Sequence, residues 1–292
     1  MTGINDKMSV EKISRKEMNN TEVISYHLSG NSFPIVIQHD NKKFLVKLRA
    51  GLCGEYSLLS EWIGNQIGRL IGLNTRQPYW ITLTDSLKYD DIYIEVRDLI
   101  DKSLGVNIGF EYLENVSVFD LSKISQIDTE QQIRIYLLDV FMLNIDRTTQ
   151  HHNLLANETD LFITDYDSSL LLNELVNNVE LSTNQQILQC LKSNPFYQKI
   201  DDRQLNAFLN RINHIGFEKI IFEIPNELMT PQNKEMICKR IEDKKSNDWN
   251  LRKILDDLEN IELETEKERN LRIRKNREKL ENSVNATRNR DE

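Results

Sequence analysis

Cysteine, proline and glycine are scarce in this chain of 292 residues, which contains 3, 5 and 10 of them. Cys53, Cys190 and Cys238 are far apart and show no C-x-x-C spacing, so a disulfide framework and a cysteine-based zinc site are excluded. An all-β sandwich needs many turn residues, so the low glycine and proline content favours a chain rich in helices.

Long apolar runs are also missing. The chain has no stretch of about 18 consecutive apolar residues, so no membrane span is predicted. The first residues, MTGINDKMSVEKISRK, lack the apolar region of a signal peptide. Together with cysteines interpreted as reduced, these absences predict a cytoplasmic protein.

Positive charge is in deficit, because 37 Lys and Arg stand against 46 Asp and Glu, for a net charge of −9. A protein that binds nucleic acid by neutralising phosphates is usually basic, so that class is disfavoured. The basic segment KERNLRIRKNREK is interpreted as a solvated helix face. The hydrophobic content of 39% is typical of a globular protein with one large domain or two lobes.

The first third of the chain has the pattern of a small sheet with one helix. PIVIQ (34–38) and KFLVKL (43–48) are apolar and β-branched, and the turn residues Asp40 and Asn41 lie between them, which predicts a hairpin. WITLT (80–84) and IYIEVRDLI (92–100) are predicted as further strands. Apolar residues at helical spacing before Gly72 predict an amphipathic helix with a glycine C-cap.

Beyond about residue 100 the pattern becomes helical. QQIRIYLLDVFMLN predicts a buried helix, and NLLA and LFIT around the turn NETD predict a short hairpin. Several short helices are expected over 181–245, and a long charged helix from Asn247 onward. The predicted organisation is a loose tail at 1–20, an N-terminal lobe at 21–100, a helical lobe at 101–246 and a charged helix at 247–292.

Polar residues with the chemistry of phosphoryl transfer follow these elements in order. Such a centre needs a carboxylate for the acceptor, an Asn and an Asp for Mg²⁺, and a lysine for the nucleotide phosphates. Asp146 follows the buried helix, Asn153 begins the short hairpin and Asp165 ends it. Lys47 ends a strand, one hairpin after the turn at Gly30, Asn31 and Ser32.

Each of these residues also has a simpler interpretation. Asp146, Asn153 and Asp165 can be solvated loop residues, and Lys47 a surface lysine at the end of a strand. Glu61 can be part of the polar face of its helix. The adjacent pair His151 and His152 suggests a metal, but neighbouring side chains diverge and no third ligand is suitably spaced.

Five stretches of this sequence, read in order, resemble the HipA-like kinase family, bacterial relatives of protein kinases. SGNSFPIVI resembles the glycine-containing loop, and KFLVKLRAGLCGEYSLLSEWIGNQIGRLIGL resembles the V-K strand and the helix after it. LIDKSLGVNIGFEYL resembles the segment between the lobes, LNIDRTTQHHNLL the catalytic loop, and LFITDYDSSLL the metal motif. The similarity runs from about Gly30 to about Leu228.

The resemblance implies an α+β, bilobal protein-kinase-like fold, with a β-rich N-lobe containing one helix and a mostly helical C-lobe. It also implies an ATP- and Mg²⁺-dependent kinase acting on a hydroxyl, Ser or Thr of a protein. The implied roles are ATP phosphate contact for Lys47, orientation of Lys47 for Glu61, base for Asp146, Mg²⁺ binding for Asn153 and Asp165, and phosphate cover for Gly30, Asn31 and Ser32.

Two residues depart from the family pattern. His151 stands where an Asn is frequent, and Asp167 stands where a Gly is usual. These departures leave a second hypothesis open, a nucleotide-binding pseudokinase or interaction module. The family association also suggests a toxin or defence component with a neutralising protein partner.

Overall fold

A six-stranded sheet forms the N-terminal part of the computed structural model, which describes residues 16–17, 21–27, 33–51, 54–89, 92–265, 268 and 274. Gly30, Asn31 and Ser32, Cys53 and most of the predicted tails lie outside the described residues. The strand order is β1-β5-β6-β4-β3-β2. The strands are β1 (Lys16–Glu17), β2 (Glu22–Tyr26), β3 (Ile35–His39), β4 (Lys42–Lys47), β5 (Pro78–Leu83) and β6 (Gly105–Glu111).

The predicted hairpin joins β3 and β4. Asp40 and Asn41 form its turn with φ of 46° and 61°, a left-handed conformation that Asp and Asn tolerate. Along β4, Phe44 and Val46 are buried on one face of the sheet. Leu45 and Lys47 alternate with them and so lie on the other face, opposite Phe110 and Ile108 of β6. The pleat therefore turns Lys47 toward the interior of the molecule.

The predicted amphipathic helix is α1 (Gly54–Leu70), followed by Gly72 at φ 84°. Although α1 lies between two strands of the sheet in sequence, it also bonds to the helical part of the chain. Trp62 Nε1 donates to the Ile220 carbonyl at 3.0 Å, and Ser60 Oγ donates to the Ser169 carbonyl at 3.0 Å. A Cβ on Gly64 would lie 2.4 Å from Tyr166 Cγ, so this glycine permits a close approach of the two segments.

The prediction of a strand at 92–100 was wrong, because this segment forms helix α2 (Ile94–Lys102). Its buried residues are Val96 and Ile100, four positions apart, and both pack on the core beneath β3 and β4. Ile94 is 75% exposed, so the alternating apolar pattern that suggested a strand does not follow burial. Packing against the sheet decided the structure of this short segment.

The sheet also extends past residue 100, where the sequence predicted the start of the helical part. Strand β6 lies between β4 and β5 and pairs antiparallel with both. Its residues continue into the connection at 112–116, which leads to the helical part. Strand β6 is therefore central to the sheet, although its residues lie beyond the predicted end of the N-terminal lobe at residue 100.

The remainder of the described chain is mainly helical, and most of its core is continuous with α1. A small sheet, β7-β8-β9, contains the predicted NLLA–LFIT hairpin. No helix among the described residues is long and apolar enough to cross a membrane. The elements are β7 (Ser117–Val118), α3 (Thr129–Met142), β8 (Leu154–Ala156), β9 (Leu161–Ile163), α4 (Leu171–Asn177), α5 (Gln185–Lys192), α6 (Asp202–Asn213), α7 (Phe217–Phe222), α8 (Pro231–Lys245) and α9 (Leu251–Asn260), with short 3₁₀ helices at Leu121–Gln126 and Asp248–Asn250.

The prediction of one long charged helix from Asn247 was wrong within the described residues. Helix α9 covers Leu251–Asn260, and Ile261 is already extended. Its apolar stripe, Leu251, Leu255 and Leu258, is buried. The next segment lies along α5, where Lys192 Nζ donates to the Ile261 carbonyl at 2.5 Å. The helix ends as this stripe runs out, because a charged helix without packing is weakly stable.

Candidate active site

Three carboxylates that the sequence singled out meet around the ammonium group of Lys47. Its Nζ lies 2.8 Å from Asp165 Oδ1, 3.0 Å from Asp167 Oδ2 and 3.2 Å from Glu61 Oε2. The Lys47 side chain is 9% exposed, against 34% for Asp165. The structure thus brings β4, α1 and the segment after β9 together in one ion-pair cluster, which we call the Lys47 cluster (Lys47, Glu61, Asp165 and Asp167).

Glu61 is held from two further directions. Its Oε2 accepts from the Tyr166 backbone N–H at 2.6 Å, and its Oε1 accepts from Asn65 Nδ2 at 3.0 Å. Both oxygens of this buried carboxylate are therefore satisfied, as buried charges require. Glu61 is a structural link between Lys47 and the segment that carries Asp165, and it is not merely a polar residue on the face of α1.

The charges of the Lys47 cluster are unequal, and the pKa directions follow from this. Burial favours neutral Lys47, but Asp165, Glu61 and Asp167 outweigh burial and raise its pKa well above the ordinary value. Burial opposes ionisation of Asp165, yet the charge of Lys47 holds the pKa of Asp165 below the ordinary value. Burial raises the pKa of Glu61 and of Asp167 despite Lys47. One ammonium does not balance three carboxylates.

The β8–β9 hairpin places Asn153 beside Asp165. Leu154 pairs with Ile163, and the Thr164 N–H donates to the Asn153 carbonyl at 3.0 Å. Asn153 and Asp165 both have left-handed backbones, with φ of 53° and 66°. Such conformations are uncommon outside glycine, and they bend the chain where each side chain leaves the hairpin.

Asp146 lies in the loop between α3 and β8. Asn153 Nδ2 donates to Asp146 Oδ2 at 3.0 Å, so two of the predicted site residues are in direct contact. The backbone N–H of Asp146 donates to Asn144 Oδ1 at 3.4 Å. The order carboxylate, carboxamide, carboxylate that the sequence suggested is thus brought together by one loop and one hairpin.

Sequence reasoning missed the residue that holds this loop. Arg147 is fully buried, and its Nε donates to Asp139 Oδ2 at 2.7 Å. Its Nη1 donates to the carbonyls of His152 and Asn153 at 2.8 and 3.0 Å. Asp139 also accepts from Asn144 and Asn194, each through Nδ2, at 2.9 and 2.8 Å. We call these residues the Arg147 cluster (Arg147, Asp139, Asn144 and Asn194). A carboxylate within an otherwise apolar helix was the available signal.

Two cavities flank the site, and the sequence pointed to neither. One, of about 510 Å³, lies between the sheet and the small β7-β8-β9 sheet. Leu45 and Leu155 line it from opposite sides, and the connection at 112–116 forms its rear. The other, of about 410 Å³, lies between the loop after Asp146 and α5. Its lining includes Thr148, Thr149 and Gln150.

The oxygen donors at the site suit Mg²⁺ held together with a nucleotide. Within the described ranges, no three His, Cys, Asp or Glu side chains form a group that could hold a metal ion by themselves. Mg²⁺ in nucleotide sites usually keeps waters and takes one or two carboxylates plus substrate phosphates. Asn153 and Asp165 provide hard oxygen donors of this type, and the surplus negative charge of the Lys47 cluster favours a cation there.

Comparison with known proteins identifies the family. The family model described as HipA-like kinase matches residues 21–260. The chain belongs to the HipA-like kinase family. Membership in this family makes the protein a kinase-like phosphotransferase. No curated protein matches the chain.

A solved kinase structure supports the fold. The crystal structure of the proinflammatory kinase CtkA of Helicobacter pylori aligns at a TM-score of 0.51 and 14% identity, over 84% of this chain and 99% of that one. The choline kinase LicA of Streptococcus pneumoniae aligns at a TM-score of 0.28 and 11% identity, over 83% of this chain and 89% of that one. The α+β kinase-like fold expected from the sequence is therefore confirmed, by CtkA alone, since the LicA score is too low to count.

Proposed function

We propose that this HipA-like kinase transfers the γ-phosphoryl group of ATP to a hydroxyl, Ser or Thr of a protein, with Mg²⁺. The observation that carries the proposal is the Lys47 cluster, in which a buried lysine from the sheet meets Asp165 at 2.8 Å beside the Asp146–Asn153 pair. Phosphoryl transfer is mostly positioning and electrostatic stabilisation, and this arrangement supplies a cation and oxygen donors at one place.

The nucleotide base is assigned to the 510 Å³ cavity, where Leu45 and Leu155 offer apolar surfaces to a planar ring. Lys47 lies two residues after Leu45 on the same face of β4, so it is placed for the phosphates. The carboxamide of Asn153 and the carboxylate of Asp165 would hold Mg²⁺. When bound, Mg²⁺ supplies positive charge that offsets the negative charge on the phosphates.

Asp146 is proposed as the base that takes the proton of the acceptor hydroxyl. Asn153 Nδ2 holds one of its oxygens, which fixes the orientation of the carboxylate. Buried Arg147 holds the carbonyls of His152 and Asn153, so buried contacts fix the loop that carries Asp146. The acceptor would approach from the 410 Å³ cavity, which borders this loop.

The lining of that cavity favours a peptide as acceptor. Among the lining residues that the structure describes, Glu264 is the only one with a charged side chain. The amides and hydroxyls of Gln150, Asn184, Gln186 and Ser193 provide hydrogen-bond donors and acceptors of the kind a peptide backbone uses. A strongly charged small acceptor would find little complementary charge there.

Asp146→Asn, tested with labelled ATP and Mg²⁺, examines the proposal. Phosphate incorporation into the protein itself or into a peptide library should fall by about 10²–10⁴-fold, because general base catalysis is lost. Asp160→Asn is the matched control, since Asp160 is exposed in the turn of the same hairpin region. Equal incorporation in wild type and Asp146→Asn would contradict the assignment of the base.

The second candidate is a nucleotide-binding pseudokinase, favoured by Asp167 at the position where the family usually has glycine. A ligand that binds only the folded state raises the unfolding temperature. Thermal stabilisation by ATP with Mg²⁺, with no turnover in wild type, would support this second function over the first.

A further inference from the structure

The ammonium group of Lys47 is saturated by protein carboxylates. A lysine ammonium has three N–H donors and no acceptor. Lys47 Nζ has three carboxylate oxygens within hydrogen-bond distance, from Asp165, Asp167 and Glu61, at 2.8, 3.0 and 3.2 Å. Each donor thus has one partner among the described residues, and a nucleotide phosphate can reach Nζ only if a carboxylate withdraws.

The three carboxylates differ in how they are held. Glu61 has two further donors, from Tyr166 and Asn65, so it is fixed independently of Lys47. Asp165 is the most exposed of the three, at 34%, and it is the residue proposed to turn toward Mg²⁺. Asp167 is 12% exposed, with Oδ2 on Lys47 and Oδ1 accepting from Ser168 Oγ at 3.1 Å. Asp167 is therefore a placed partner of Lys47 that a glycine could not supply.

We propose that Asp167 competes with the nucleotide phosphates for Lys47 and thereby makes nucleotide binding depend on a divalent cation. This inference rests on the proposed nucleotide site. Without the cation, phosphates would meet a lysine already paired with three carboxylates, and like charges would repel them. With the cation, the carboxylates gain a positive partner and Lys47 becomes accessible. Asp167 is a positioning residue that acts through Lys47.

A purely structural role for Asp167 predicts something different. If Asp167 only anchored the segment 165–169, its replacement would lower the unfolding temperature and weaken nucleotide binding equally with and without metal. Competition for Lys47 instead predicts that the metal-free affinity rises while the affinity with metal is kept. The ratio of the two affinities therefore separates the hypotheses, and it does not depend on turnover.

The experiment measures Kd for a fluorescent ATP analogue by titration, in EDTA and in excess Mg²⁺. Wild type is compared with Asp167→Asn, which keeps the shape, and Asp167→Gly, which restores the usual family residue. The EDTA affinity should rise about tenfold in both variants, the size expected for removing one charge-assisted competitor. Asp98→Asn is the matched control, because Asp98 also pairs with a lysine, Lys102 at 2.6 Å, but on the exposed face of α2.

Three outcomes would overturn the inference. The first is an EDTA affinity in Asp167→Asn within twofold of wild type. The second is a loss of affinity confined to the Mg²⁺ titration, which would make Asp167 a metal ligand instead. The third is no nucleotide binding by wild type in either condition, which would remove the proposed function as well. Binding with Mg²⁺ but without turnover removes only phosphotransfer, and the Asp167 comparison still decides the inference. Circular dichroism melting checks folding, and Asp167→Asn serves if Asp167→Gly does not fold.

Discussion

The Lys47 cluster and the Arg147 cluster are both buried ion-pair networks, but they differ in balance. In the Arg147 cluster one guanidinium meets one carboxylate, and neutral amides and carbonyls satisfy the remaining groups. In the Lys47 cluster one ammonium meets three carboxylates, and Asp165 is partly exposed to the cleft. The difference indicates that the Arg147 cluster is a balanced structural scaffold. The Lys47 cluster retains surplus negative charge that a bound cation can neutralise.

Of the variants that test this comparison, Arg147→Met should lower the free energy of unfolding most. It leaves Asp139 buried without a cation and removes the donors to the His152 and Asn153 carbonyls. Loss of one partner of a buried ion pair costs about 3–5 kcal/mol, so the free energy of unfolding in urea should fall by that amount. Arg211→Met is the control, because Arg211 is 47% exposed and pairs with exposed Glu130. A decrease no larger than in this control would show that the Arg147 cluster is not a scaffold.

Gly64→Ala tests how the Lys47 cluster depends on close packing. The new methyl group would lie 2.4 Å from Tyr166 Cγ, and overpacking of this kind costs about 1–3 kcal/mol. Displacement of Tyr166 would also disturb its N–H bond to Glu61, so nucleotide affinity should fall.

Gly68→Ala is the matched comparison on the same helix. Its methyl group would lie 2.5 Å from Thr75 Cγ2, away from Tyr166. Similar loss of stability with nucleotide affinity retained is expected for Gly68→Ala. Equal affinities in the two variants would contradict the dependence on Tyr166.

Asp167→Asn should have the smallest effect on stability, and the effect should depend on pH. Folding raises the pKa of Asp167, mainly through burial, so its stabilising contribution is complete below the unfolded pKa and is lost as pH rises through the folded value. Asp167→Asn carries no ionisable group at this position, so it does not lose stability as the pH rises through that value. Asp165 ionises in both proteins and does not contribute to the difference between them. Asp167→Asn should therefore be more stable than wild type at about pH 7.5.

This advantage should disappear as the pH falls to about 4, near the unfolded pKa of Asp. Urea unfolding at several pH values measures it, and Asp98→Asn should change little at either pH. A variant less stable than wild type at neutral pH would show that Asp167 balances charge in the Lys47 cluster and is not in surplus.

Local chemistry allowed much of the fold and site to be predicted. The turn residues Asp40 and Asn41 predicted the β3–β4 hairpin that ends at Lys47. The turn NETD predicted the β8–β9 hairpin that leads to Asp165. Propensity failed for residues 92–100, where apolar alternation resembled a strand but burial on the sheet selected a helix. The Arg147–Asp139 pair joins residues whose partnership depends on tertiary packing, and the Leu45–Leu155 cavity joins two strands far apart in sequence. Neither could be found by spacing.

The attachment of α1 to the helical part has a mechanical consequence. Trp62, Ser60 and Glu61 each bond across this junction to Ile220, Ser169 and Tyr166. Swinging α1 outward would leave these buried groups unsatisfied, at about 1–3 kcal/mol each. Glu61 and Asp165 therefore keep their relative positions as long as these bonds hold. Trp62 also stacks on Trp80 of β5, with ring centroids 4.7 Å apart, so α1 is fastened to the sheet as well. A movement that separates Lys47 from Glu61 would have to break buried contacts on one side of α1 or the other.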